Sequence, residues 1–314
     1  MKLQFLGAGS GLCSPKEDGD YHSNMVFIAE SIGGCEKYLG FDCGVHWQIS
    51  SEEAGYKIKD FDGFYVSHLH DDHAGCLGIV AFSRYFGTFP FGSDKPKLFA
   101  NTEVTEELWG KYLAASLESI QDNRNCLDQY FEVDRIKPNG SFKWMNTKFD
   151  TIQTVHVVDD RKIKPSYGLI FDTDNISVFI SGDTQYAPNQ LLTFYQRSDV
   201  IFQDCELAEY PNSVHAQYHE LNKLPENVKK KMWLYHNCGE KPDAASDGFG
   251  GFVKKGDVFD FSKLTIADYF HVLRVLLTDQ LRVLVDFLHR YTHRAAVLQD
   301  NNTANVVMKA TDPV

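Results

Sequence analysis

The chain has 314 residues, 43% hydrophobic and 24% charged, an ordinary globular composition long enough to bury a full core. A formal net charge of −12 gives no general electrostatic help in holding a long polyanion, so it favours small substrates over long nucleic acid. The seven cysteines are odd in number and none stands at C-x-x-C spacing, which predicts reduced, mostly buried thiols in a cytoplasm rather than a disulfide framework or a zinc ribbon.

The first residues lack a basic region followed by a long apolar stretch, so no signal peptide is expected. Leu3 to Leu6 reads as a strand ending in the Gly-rich turn 7–11. Asn24 to Ala29 and Lys37 to Phe41 read as the next strands, and Phe61 to Ser67 as a buried strand that delivers the chain into residues 68–75. The apolar run Cys76 to Phe82 predicts a helix, residues 84–95 a loop, and Thr102 to Ser119 a second helix with Thr102 as N-cap. Residues 121–150 are polar with short strands, and Phe149 to Val158 alternates as a strand that presents His156 near its end. Tyr167 to Asp172 and Ile176 to Ile180 form a predicted hairpin across 173–175 that ends in Ser181-Gly182-Asp183-Thr184. Val200 to Cys205 reads as a further strand, and Lys229 to Tyr235 leads into His236.

This order suits two packed sheets with helices outside, an α/β domain over residues 1–261. Leu264 to Leu298 then reads as one or two apolar-rich helices, a C-terminal helical extension over 262–314. It packs on the main domain or forms a homodimer contact, and the sequence leaves both open. Val272 to Leu288 is broken by Arg274, Asp279, Arg282 and Asp286, which argues against a membrane span.

The strongest chemical signal is His68-x-His70-x-Asp72-His73, three imidazoles and a carboxylate just after a buried strand. These are the donor types that hold zinc and related ions. Histidines two apart on extended chain point the same way and reach one ion. Asp72 and His73, at the turn into the helix, are placed to serve another. Either His156 or His236 by itself would read as an ordinary surface or core histidine.

The motif resembles the HxHxDH signature of metallo-β-lactamase-fold hydrolases. Within them the chain is similar to the phosphodiesterase branch that includes RNase Z. Residues 5–11, Phe41-Asp42-Cys43-Gly44 with Gln48, Pro165-Ser166-Tyr167-Gly168 and Ser181-Gly182-Asp183-Thr184 carry the same likeness, which runs from residue 1 to about 240. The resemblance implies an αββα sandwich and two divalent metal ions, zinc first, with manganese or iron also suited to nitrogen and oxygen donors. His68, His70 and His156 would hold one ion, Asp72, His73 and His236 the other, and Asp183 would sit between them. It also implies phosphodiester hydrolysis, with Asp72 orienting the attacking water and His215, held by Asp204, protonating the leaving oxygen. His219 competes with His215 for that role. The chain departs from the family here: Asp204 stands where Glu is usual, and Ala-Gln-Tyr-His-Glu-Leu replaces the small residues that normally follow the histidine.

RNase Z enzymes of the short bacterial form carry a tRNA-gripping arm between the third histidine and the bridging aspartate. The segment 157–182 reads as a hairpin and leaves no room for one. A small phosphodiester such as a cyclic nucleotide is therefore the expected substrate, with Phe86, Phe89, Phe91, Trp109 and Tyr112 as either a base-stacking lid or core. Two rivals stand beside it. One is a tRNA 3′-processing endonuclease gripping through a basic cluster such as Lys229-Lys230-Lys231, and the other a non-enzymatic di-iron oxygen sensor.

Overall fold

The computed structural model describes residues 1–174, 176–209 and 213–263. Two seven-stranded sheets form its centre. In spatial order the first contains Val258–Asp260, Lys2–Phe5, Met25–Glu30, Glu36–Phe41, Phe61–Tyr65, Lys97–Asn101 and Glu132–Ile136. The second contains Gly251–Phe252, Met232–Tyr235, Val200–Asp204, Ser177–Ile180, Tyr167–Asp172, Thr147–Gln153 and Ser141–Trp144.

The sheets face each other through aromatic side chains, because alternate positions on each strand point inward. Phe5 meets Phe202 at 5.3 Å between ring centroids, and Phe27 meets Phe171 at 5.5 Å and Phe149 at 5.1 Å. Phe142 bridges back to Phe99 at 4.5 Å and to Tyr65 at 5.4 Å. Deleting one such ring, as in Phe27→Ala, would cost about 3–5 kcal/mol in lost burial and cavity. A second apolar layer lies on each outer face. Trp47, Leu77 and Leu108 cover the first sheet, while Leu191, Tyr195, Leu221 and Val228 cover the second. Helix, sheet, sheet and helix layers make this the αββα sandwich of the metallo-β-lactamase fold.

Glu36–Phe41, Phe61–Tyr65 and Lys97–Asn101 run parallel, as do Ser177–Ile180, Val200–Asp204 and Met232–Tyr235. Their carboxyl ends therefore open at one edge, where open α/β sheets place their ligands. Residues 42–44, 66–73, 181–184, 205 and 236 all emerge there.

Several elements differ from the sequence expectation. The helix after Cys76 spans Leu77–Phe86 and takes in the start of the expected loop. The segment 102–119 is not one α-helix. Thr102–Glu107 and Ala114–Leu117 are α-helical, but Leu108–Leu113 is a wider π-type turn. The apolar spacing explains it: Val104, Leu108, Leu113 and Leu117 are all buried, and their middle step is five residues instead of four. One extra residue per turn keeps all four on one face. Asn101, not Thr102, is the N-cap, and Thr102 Oγ1 donates instead to Ile136 O. The segment that leads into His236 begins with the short helix Glu226–Lys229 and ends in the strand Met232–Tyr235.

The expectation of wholly reduced thiols fails at one pair. Cys13 and Cys238 form a disulfide across a sequence separation of 225. Cys43, Cys76 and Cys205 are buried thiols, and Cys35 and Cys126 are exposed. The C-terminal helical extension, from residue 264 on, and the expected turn residue Asn175 lie outside the described residues. Among the described residues no helix is long and apolar enough to cross a membrane.

Candidate metal centre

Strand ends bring seven donors together in two adjoining clusters. The first holds His68, His70, His156 and Asp183, and the second Asp72, His73, His236 and Asp183. In the first, His70 Nδ1 lies 3.0 Å from His68 Nε2 and 3.1 Å from His156 Nε2. In the second, Asp72 Oδ2 lies 3.1 Å from both His73 Nε2 and His236 Nε2. Asp183 Oδ2 is common to both: it stands 3.6 and 3.7 Å from His68 and His156, and 3.3 and 3.4 Å from His73 and His236.

These spacings suit shared cations. Nitrogen donors about 2.0–2.1 Å from a tetrahedral ion stand roughly 3.3 Å apart. Asp183 is 1% exposed, and neither carboxylate oxygen accepts a hydrogen bond. Burying a carboxylate without a donor is costly, and a cation between the clusters would remove that cost. His73 Nε2 is likewise buried and makes no hydrogen bond, though two carboxylates flank it.

The Nδ1 atoms are engaged behind the clusters, which turns Nε2 forward at His68, His73, His156 and His236. His73 Nδ1 donates to Asp42 Oδ2 at 2.7 Å, and Asp42 also accepts from Ser67 N and Ser67 Oγ, each at 2.8 Å. His68 Nδ1 lies 3.0 Å from Ser67 Oγ. His156 Nδ1 donates to Val214 O at 2.8 Å, and His236 Nδ1 faces Asp204 Oδ1 at 3.3 Å. Asn24 ties the loops together, donating to Asp72 O and accepting from Gly44 N. Gly44 is obligatory by close approach, since a Cβ there would lie 1.8 Å from Asp72 O. Asp42 and His236 hold left-handed backbone, with φ of 64° and 63°. Such non-glycine residues concentrate at functional sites.

Burial pushes His68 well below its ordinary pKa, with nearby His73 adding to the effect, and lowers His156 to about 4. Burial alone would also lower His73 and His236. The carboxylates around them win, and both stand well above the ordinary value. Asp183 is held well below the carboxylate range because His236, His73 and His68 outweigh its desolvation.

His215 stands beside the clusters, its Nδ1 donating to Asp204 Oδ2 at 2.8 Å and lying 3.9 Å from Asp183 Oδ2. Burial lowers its pKa, but Asp204 more than compensates and raises it. His219 is turned away, half exposed and 3.5 Å from Glu209. The structure thus brings together all nine residues singled out in the sequence as ligands or catalytic groups. Of the five aromatics considered for a lid, Tyr112 reaches the site loop, its hydroxyl donating to Asp71. Phe86, Phe89 and Phe91 cluster at the far end of the helix Leu77–Phe86. Nothing in the local sequence around Asp42, Ser67 and Asn24 signals their hydrogen-bonding roles. Only the resemblance around Phe41-Asp42-Cys43-Gly44 pointed to one of them.

Residues 1–259 match the protein family described as "Anti-Pycsar protein Apyc1". The chain belongs to the Apyc1 family. The Apyc1 match contains every donor named above. An Apyc1 protein of Paenibacillus harenae is 32% identical over 238 residues, covering 75% of this chain and 89% of its own length. One of Bacillus phage vB_BsuM-Goe3 is 28% identical over 247 residues, covering 75% and 88%. Among solved structures, the metallo-β-lactamase-fold protein YhfI of Bacillus subtilis superposes with a TM-score of 0.62 at 15% identity, covering 82% of this chain and 98% of its own. Human short-form tRNase Z gives 0.58 at 14%, covering 83% and 99%. These likenesses show the shared fold. As an Apyc1-family chain, the protein is a metal-dependent hydrolase of the phosphodiesterase kind.

Proposed function

We propose that the chain uses two divalent cations, zinc first among them, to hydrolyse a small phosphodiester of the 3′,5′-cyclic nucleotide class. The observation that carries this is Asp183, whose Oδ2 belongs to both clusters and accepts no hydrogen bond from the protein. His68, His70 and His156 would hold one ion, Asp72, His73 and His236 the other, with Asp183 between. When bound, such a pair lowers the pKa of a shared water toward neutrality and offsets charge on the phosphate oxygens.

The chain's own residues supply the rest. Asp72 accepts a hydrogen bond from the attacking water and fixes its direction toward phosphorus. His215, kept protonated by Asp204, donates from Nε2 to the departing oxygen while Nδ1 stays bound to the carboxylate. The short hairpin Val158–Asp159 and Lys162–Ile163 follows His156 where an arm for tRNA would otherwise extend, which supports a small substrate. The acidic balance of the chain supports the same choice.

The test is turnover of metal-loaded protein on bis(p-nitrophenyl) phosphate, a panel of 3′,5′-cyclic nucleotides and a precursor tRNA, alongside elemental analysis. Cleavage of the first two with two ions per chain is expected. Selective cleavage of precursor tRNA would favour the endonuclease, and an oxidised di-iron spectrum without turnover the oxygen sensor.

A further inference from the structure

The second cluster is closed by two chain segments that are remote in sequence. One is the turn 10–13 after the first strand. It packs so closely on Asp72 that a Cβ at Gly11 would lie 3.0 Å from the Asp72 carboxylate. The other is His236–Cys238, leaving the strand Met232–Tyr235. His236 takes left-handed backbone, which is uncommon for a non-glycine residue and clusters at functional sites. Two contacts hold the turn: the N–H groups of His236 and Asn237 both donate to Ala8 O, at 2.8 and 3.2 Å. The third is covalent. The Cys13–Cys238 disulfide joins the segment that covers Asp72 to the segment that presents His236, with Cα atoms 5.6 Å apart. Ser10 Oγ donates to Cys238 Sγ at 3.3 Å, which adds a polar contact across the same seam.

We propose that Cys13 and Cys238 are positioning residues for the second cluster, and that their oxidation state sets how tightly this cluster holds its cation. The proposal rests on the two-cation reading above. With the link closed, His236 Nε2 stays at its spacing from Asp72 and Asp183. With the link open, the turn keeps its backbone hydrogen bonds to Ala8 and the contact of His236 Nδ1 with Asp204 but loses its covalent tie, so the imidazole is held less closely to the cluster. Groups that orient a ligand in this way change metal affinity by roughly 10–100-fold.

A cavity of about 290 Å³ opens onto the pair, lined by Glu17, Asp18, Asp20 and Lys241 as well as the two cysteines, so small thiols and disulfides have access. Closure proceeds by exchange with a low-molecular-weight disulfide such as glutathione disulfide. The thiolate of Cys238, the more accessible of the two, attacks one sulfur and releases one glutathione. The thiolate of Cys13 then attacks Cys238 Sγ in the mixed disulfide and releases the second. Two protein thiols are oxidised, one disulfide is reduced, and the two protons finish on the released thiols.

The test uses the full chain without substitution, prepared in glutathione disulfide or in excess reductant. Free thiols are counted by Ellman titration in denaturant, and binding of zinc is measured by chelator competition. Five free thiols are expected in the oxidised form and seven in the reduced form. Both forms should bind two ions, with one of the two equivalents held about 10-fold more tightly in the oxidised form and the other unchanged. Cys13→Ser and Cys238→Ser should match the reduced chain and ignore the redox treatment. Two equivalents bound equally in both forms, or seven thiols under oxidation, overturn the positioning role alone. Fewer than two equivalents in either form overturns the two-cation reading and this inference with it.

Discussion

The two clusters share Asp183 yet differ in charge and in access. The first is built from neutral imidazoles that burial drives down in pKa, and its His70 reaches the solvent. The second is buried throughout and contains Asp72 as well as Asp183, with Asp42 behind His73. Its histidines are pulled up in pKa by those carboxylates. Two ions held here would therefore be unequal. The second cluster gathers negative charge that a cation must offset, while the first leaves an open side through which a substrate can approach.

The sharpest way to break this contrast is to remove what both clusters share. Asp183→Ala should abolish metal binding at both and activity with it, read by elemental analysis and turnover on bis(p-nitrophenyl) phosphate. Full metal content with surviving turnover would rule out a shared ligand. Next in size, His215→Ala should keep both ions and slow turnover by ~10²–10⁴-fold, the usual contribution of a general acid. An unchanged rate would pass the role to water. Asp42→Asn then separates the clusters. It should weaken the second ion by roughly 10–100-fold and leave the first in place, as chelator competition would show. Equal weakening of both ions would deny that Asp42 acts through His73.

The smallest effect is a displacement in pH. His215 must be protonated to donate, and Asp204 raises its pKa. Turnover should hold below that raised value and decline as pH rises through it. Asp204→Asn removes the nearby charge, so the alkaline decline should move about 1–3 units lower. A decline that stays in place would assign it to some other group.

How much of this could be read in the chain alone depended on distance along it. His68, His70, Asp72 and His73 fall within one turn after a buried strand, so residue type and spacing exposed them together. His156, Asp183 and His236 are ordinary residues taken singly, and family resemblance linked them. Asp42 and Ser67 act through hydrogen bonds from behind, which no local pattern encodes. The Cys13–Cys238 link escaped because cysteine spacing informs only near neighbours. The fold is legible through its buried strands, but the five-residue step from Leu108 to Leu113 reads in sequence like continuous α-helix. Periodicity reports a repeating face and hides a single inserted residue.

The donors come from both sheets of the sandwich. His68, His70, Asp72 and His73 follow a strand of the first sheet, whereas His156, Asp183 and His236 follow strands of the second. Any cation seated between them is then also a rivet through the two halves, fastening at the rim what the stacked phenylalanines fasten in the middle. Stripping it should let amides near residues 66–73 and 181–184 exchange with deuterium well before those beneath the rings, so that the apoprotein gapes at one lip and keeps its hinge.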